Sequence, residues 1–576
     1  MKPRLFLTLC ISLYFRPAFA ASHLEIHIGE INHPQAQFQN LDASVDADGN
    51  WHGTALLKQT NLNQLAPNFP VKFSKGSLQG KLVFAGKNNQ PQQVKADLNL
   101  RDTAFSNTEG SKAADKLAGN FNIKAQRKDA AWAWQAALKW REGELFWQPL
   151  YFANGGHALE ASGEWSEDKL TVTQGLMTIA SVGAVKFNGE LALPSNTITR
   201  LDIDAKNLAL DNAYVVLIKP FMEKNVLGDL EAAGRADLSA SIKNQRITSF
   251  NLGLHGADVA DKKNRFAFYK LNVQIPWSYD DKTHAVIGYE SGQLLGLSLA
   301  AAQHKVDLER YSLVAPHLDF PVLDGKLVLD DVAAAIVNDQ WYWRVRADVQ
   351  GISMPEFSTA LGWPRMEGKI QAQIPMVLYQ NGKLTSNGTL KLNVFDGDIK
   401  VDNLLMDEPL GLVPRLSADI TMRRLDLALL TRTFSFGDME GRLDGNVQGL
   451  ELSGKQPVKF DARFYSSPGS YPKKISQRAV QNISSLGGAG AAAAIQRSFL
   501  SFFEKFNYQA IGLSCRLRNS VCLMGGVEDT PSGYIIVKGS GIPSITVLGY
   551  NRNVGWKELL ERVQDITKGN SKPVIK

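Results

Sequence analysis

The chain has 576 residues, 44% of them hydrophobic and 21% charged, with a formal net charge of +6. That apolar content supplies a large core. So small a charge, without a Lys/Arg run, argues against nucleic acid as a partner. No Cys/His cluster of ligand spacing marks a metal or cofactor site.

The chain opens MKPRLFLTLCISLYFRPAFA, in which basic Lys2 and Arg4 precede an apolar run from Leu5 to Phe15. Ala18-Phe19-Ala20 then matches a small-x-small cleavage pattern. The run ends at Arg16, well short of the ~20 residues a bilayer-spanning helix needs. An export signal over residues 1–20 is expected, with an uncleaved anchor as the alternative. Cys10 lacks a lipoprotein context. Loss of Lys2, Arg4 and Arg16 lowers the charge from +6 to +3 and leaves Cys515 and Cys522 as the remaining cysteines, an even number for an oxidising compartment.

From His23 to about Pro472 short alternating runs are separated by Gly, Asn-Gly, Asp-Gly or Asp-Lys turns, as in GSLQGKLVFAGKNNQ and KLTSNGTLKLNVFDGDIKVDN. A period of two with hairpin turns predicts antiparallel strands. Stretches beginning at Leu201, Val345 and Leu416 share a plan: a strand containing Asp, a polar or Gly break, an apolar-x-apolar piece and a brief helical turn. A weaker copy begins at Phe250. Such a plan suggests a sheet extended by repeated additions. In the aromatic stretch 132–152, Trp132, Trp134 and Trp140 are expected on one face of a β-ribbon that turns at Glu142-Gly143. That face is either core or a lining for an apolar or sugar ligand.

The texture changes at Tyr471. Ile495, Phe499, Phe502, Phe503 and Phe506 fall at the spacing of one helical stripe, which either packs on a sheet or forms a lid or membrane-touching helix at the end of an apolar groove. Two strands then carry Cys515 and Cys522 around a tight turn at Arg518-Asn519. No histidine lies nearby to complete a metal site, and the spacing is not C-x-x-C. Facing cysteines in a hairpin fit a structural disulfide. A last helix, VGWKELLERVQDI, has Trp556, Leu559, Leu560 and Val563 as its packing stripe.

Catalytic signatures are missing. The run from Gly488 to Ala493 matches a dinucleotide fingerprint but lacks the preceding strand. His23, Glu25 and His27 share a strand face that could hold a metal, against a solvent face opposite Leu24 and Ile26. Paired acids such as Asp280-Asp281 and Asp330-Asp331 sit at turns, where Asp belongs for backbone reasons. No catalytic residue, metal site or cofactor is expected.

The segments FFEKFNYQAIGLSCRLRNSVCLMGGV and GYIIVKGSGIPSITVLGYNRNVGWKELLERV resemble the C-terminal domain of YdbH-type proteins, in the AsmA-like group of Gram-negative envelope proteins. The likeness covers about residues 440–566; upstream only the β-texture and the NLAL-type units are similar. It implies a mainly β fold, a long antiparallel sheet bent into an open apolar trough, with a few short helices near the C-terminus. It divides the chain into a signal peptide (1–20), a β-groove (21–440) and the C-terminal domain (441–576). It further implies a periplasmic monomer carrying phospholipid between inner and outer membranes, partnered by a small outer-membrane lipoprotein through strand addition. Family members usually have a longer groove and an inner-membrane anchor; the shorter chain and its expected cleavable signal depart from that pattern. Ile495, Phe499, Phe502 and Phe503 are then the candidate lipid contacts. The alternatives are a scaffold for outer-membrane proteins using the same groove, and a secreted carbohydrate-active enzyme. A β-barrel is disfavoured by the ending KPVIK, which lacks a terminal aromatic.

Overall fold

A computed structural model describes residues 23–33, 36–65, 70–193, 195–222, 226–362, 365–409, 413–454, 456–487 and 503–567. The expected export signal and the Gly488–Ala493 run lie outside the described residues. The fold is mainly β, as the alternation predicts, and the chain divides into two compact units, Met1–Ile287 and Gly288–Lys576.

In the first unit the strands pair antiparallel in chain order, from His23–His33 on Ala36–Asp46 through to Arg246–Asp261 on Phe266–Ser278, except that Ala131–Trp147 pairs with both the short Leu150–Phe152 and His157–Trp165. Long strands such as Lys112–Lys128 and Ala131–Trp147, 17 residues each, turn back through residues like Asp129 at φ 52°. Asn and Asp accept this left-handed geometry readily. The second unit continues in the same manner through Gly325–Val337, Gln340–Ser353 and Arg415–Asp426 to Lys505–Arg518.

Register breaks explain the repeated sequence plan. Asn207 (φ 56°), Gly351 (φ 66°) and Arg424 (φ 57°) are left-handed residues. Pairing shifts across them between Ala205 and Leu208, between Val349 and Ile352, and between Met422 and Leu425. These are β-bulges, which bend a strand and sharpen its twist. Three residues after each one a helix begins, at Leu210, Met354 and Leu427. A bulge also takes an N–H out of the ladder, and an acid on the next strand accepts it. Asn207 N–H donates to Asp237 Oδ1 at 2.7 Å, and Arg424 N–H to Asp444 Oδ1 at 2.9 Å. In two of the three copies the bulge N–H is thus accepted by an Asp of the following strand and not by the Asp within the repeated plan. In the weaker copy Gly256 (φ 55°) donates to Asn272 Oδ1 at 3.0 Å, and the strand continues to Asp261 without a helix.

The expected turn at Glu142-Gly143 is absent. Ala131–Trp147 is one strand, and Gly143 (φ 97°) is a bulge pressed on the facing backbone. A Cβ there would lie 2.4 Å from the Lys116 carbonyl carbon, so only glycine fits.

The C-terminal part of the second unit has the largest closed core. Helix Gln477–Gly487 and helix Trp556–Thr567 pack with strands around fully buried Ile475, Phe506, Tyr534 and Val547. On the last helix Leu559 and Ile566 are buried while Leu560 and Val563 are exposed, so the packing stripe is narrower than expected. Cys515 and Cys522 form a disulfide with Cα atoms 5.3 Å apart. The turn is Asn519-Ser520, one residue later than expected, so Cys515 stands opposite Met524 and Cys522 opposite Leu517. The cysteines are diagonal neighbours on one buried face rather than a facing pair.

Asp444, 6% exposed, also accepts from the Ser467 hydroxyl at 2.6 Å. Replacing it (Asp444→Ala) leaves the bulge N–H without its acceptor and should lower unfolding free energy by about 2 kcal/mol. Urea denaturation of the full chain measures this; an unchanged midpoint would mean the bulge holds without its acceptor.

Candidate functional site

Cross-strand register resolves which side chains share a face in the first unit. One row runs Ile31, Phe38, Leu57, Gly80, Leu98, Phe121, Leu138, Leu159, Met177, Val185, Ala205, Leu238, Leu252, Ile275, each directly opposite the next. Every member is apolar or glycine. Two residues along the strands a second row runs from Ala55 and Leu82 through Ile123, Phe187 and Ile203 to Phe250 and Trp277. A third contains Phe84, Val94, Trp134, Val172, Leu201 and Ile242. At about 4.8 Å per strand the first row is on the order of 60 Å long. Among the described residues no second sheet covers this face, and Leu138, Leu238 and Ile247 stand 38%, 38% and 52% exposed.

The intervening rows are polar, as in Lys81, Asp97, Asn122 and, further on, Lys186, Asp204, Ser239 and Asn251. On that side lies an open cavity of about 810 Å³ lined by Lys124, Gln135, Glu160, Lys186, Asp202 and Asp204. The Ser241 hydroxyl, 2.7 Å from Asp202, holds that carboxyl below its usual range, with Arg200 adding to the effect. The cavity is thus on the charged face and not on the apolar one.

Among the described residues a helical element lies over the apolar rows. Residues 210–222 form a helical insert whose Ala213, Val216 and Leu217 pack on Met177, Val185 and Ala205 of the first row. Beside it stands the Asp261–Arg265 turn, tied by the Lys262 N–H to Asp229 O at 3.1 Å.

In the second unit a row runs Phe320, Leu327, Val349, Ala372, Leu392, Ile399, Met422, Gly445, Phe464, Leu513. From Ile399 onward these residues pack against the closed C-terminal core, so the row is open at one end and capped at the other. His304 stacks on Phe320 with centroids 4.3 Å apart. Its Nε2 has no hydrogen-bond partner among the described residues, and burial pushes its pKa down, favouring the neutral ring.

Of the residues singled out from sequence, Ile495, Phe499 and Phe502 lie outside the described residues. Phe503 packs against the C-terminal core, and its carbonyl accepts from Gln477 Nε2 at 2.7 Å. Phe506 is not on a helical stripe: it opens the strand Lys505–Arg518, opposite Ile475. Trp132, Trp134 and Trp140 do share the apolar face of the first unit. His23 and His27 flank Glu25, and His27 Nδ1 meets Asp42 at 2.7 Å, all on an exposed strand face. The apolar rows themselves went unread in the sequence, because alternation marks the face of a residue but only the register lines up neighbours. No family model, curated protein or solved structure matches the chain.

Asp261 is fully buried and accepts from Arg265 Nη2 at 2.7 Å and Nε at 2.8 Å; these bonds pull its pKa from 3.8 to about 2. A carboxylate depressed in the folded state adds stability that is complete above its unfolded pKa and lost as pH falls through the folded one. Acid unfolding followed by circular dichroism should therefore show Asp261→Asn losing stability at neutral pH and losing part of the pH dependence between 3.8 and about 2. Identical acid profiles would assign that dependence to other carboxylates.

Proposed function

We propose that the protein is a lipid-transfer conduit, in which acyl chains travel along the uncovered apolar rows. The observation that carries this reading is the uninterrupted row from Ile31 to Ile275, which no second sheet covers among the described residues. Each methylene moved from water onto such a surface gains about 0.8 kcal/mol. A row offers this gain at every strand, without a specific pocket, so a chain can shift along it with little change in energy. One acyl chain spans about half of the ~30 Å hydrocarbon core of a bilayer, so the row has room for more than one chain.

The resemblance to YdbH-type proteins, the export-signal pattern and the disulfide support a periplasmic setting between inner and outer membranes. In this reading bending of the sheet turns the apolar face inward as a trough, and the bulges are the devices that bend it. The His23–His33 strand pairs only on its Ala36–Asp46 side among the described residues, and such an edge suits strand addition by a small lipoprotein.

Native mass spectrometry of the mature chain, expressed in the periplasm and purified in mild detergent, tests the reading. The wild type should retain phospholipid at one or more copies per chain. Leu138→Asp, which puts a charge into the row at an exposed position, should reduce retained lipid at least tenfold, whereas Lys186→Glu on the opposite face should leave it unchanged. A wild type that is free of lipid and takes none from vesicles overturns the proposal. Bound peptide in its place would favour the scaffold function.

A further inference from the structure

A polar side chain stands inside the apolar face of the second unit. Along strand Leu297–Glu309 the residues Ala302, His304, Val306 and Leu308 alternate onto that face, and His304 is the polar member. Its chain neighbours Gln303 and Lys305 are exposed on the other face. The imidazole is 8% exposed and lies among aromatic rings, with centroids 4.3 Å from Phe320 and 6.3 Å from Tyr289. Its Nε2 is buried and unpaired among the described residues. Asp319, the acid whose charge reaches the ring, is itself met by His317 Nε2 at 3.1 Å.

The fold has no use for that nitrogen. Stacking on Phe320 needs a ring, and a phenylalanine or leucine would fill the space without burying an unpaired polar atom. The helix Met354–Ala360 meets this part of the sheet at the Leu295-Gly296 turn, where Ala360 O approaches Gly296, well along the strand from His304. The rings beside His304 belong to side chains, which turn aside without moving a strand.

We propose that His304 Nε2–H is a docking point for the acyl ester carbonyl of a glycerolipid whose hydrocarbon continues along Phe320, Leu327 and Val349. The inference rests on the lipid-transfer reading and names the lipid class and one place where it pauses. The polar atom at the head of an esterified acyl chain is its carbonyl oxygen, an acceptor without a proton to give. A neutral imidazole carries one N–H donor, and burial keeps this ring neutral. Donation from Nε2 pairs both groups away from water while the row takes the chain. A free carboxylate would need a positive partner, which a neutral ring does not supply. Hydrocarbon alone would leave the nitrogen as it is.

The test is uptake by the full chain, read by native mass spectrometry, from vesicles holding equal amounts of diacyl phosphatidylglycerol and its dialkyl ether analogue. The two lipids share chains and headgroup and differ in the carbonyl. The wild type should prefer the ester lipid about fivefold, the worth of one neutral hydrogen bond. His304→Phe keeps the stacked ring and should take up both lipids equally. If that variant does not fold, His304→Leu takes its place with the same loss of preference expected. Equal uptake by the wild type, as for a nitrogen paired with water, overturns the ester site and leaves the conduit standing. A preference that survives the substitution does the same. Uptake of neither lipid overturns the conduit, and the ester site with it.

Discussion

Register is the constraint on which the rest of this structure depends. In a sheet open to water on both sides, nothing but the pairing decides which residues stand next to one another, and a slip of one position moves every side chain to the other face. Here the pairing keeps apolar residues in line from strand to strand across the first unit. Each member is partly covered by its two cross-strand neighbours, which is why Phe121 and Leu159 are half-buried without a second sheet above them. A single strand displaced by one residue would set a charge such as Lys186 among them and open a gap in both directions.

The bulges are where that register is adjusted and pinned. Asn207, Gly256, Arg424 and Gly449 each take a left-handed conformation and each give their N–H to a side chain on an adjacent strand. For Gly449 the acceptor is Asp419, whose carboxyl is held below its usual range first by the Asn403 amide and then by this N–H. A slipped strand would separate donor from acceptor, so the polar contact enforces the apolar alignment. The same local devices add twist and bend, which ties curvature of the sheet to the residues that fix its pairing.

Much of this was legible in the chain. Alternation and turn residues gave the antiparallel strands, the shared plan at Leu201, Val345 and Leu416 marked real strand-bulge-helix units, and the cysteine spacing gave the disulfide. What failed did so where two periods agree. Phe503 and Phe506 fit a helical stripe, yet Phe506 and Tyr508 also alternate, and pairing with Ile475 put Phe506 in a strand. Glu142-Gly143 reads as a turn by composition, but its role is a close backbone approach that only the partner strand reveals. The candidate site was the least legible part, because a row is a property of the ladder and not of any one segment.

The helical excursions add a further regularity. In an antiparallel ladder, strands two apart run the same way, and the helices after Gln340–Ser353 and Arg415–Asp426 follow strands that run in parallel directions within the second unit. They therefore emerge along one edge, and their Met354, Phe357, Leu429 and Leu430 meet in a common apolar cluster. In the first unit the 210–222 insert leaves by the same strand-bulge-helix device but keeps an apolar side turned outward. One local motif thus serves two ends. Where helices meet it closes an edge, and where a single helix projects it leaves Val215 and Phe221 exposed.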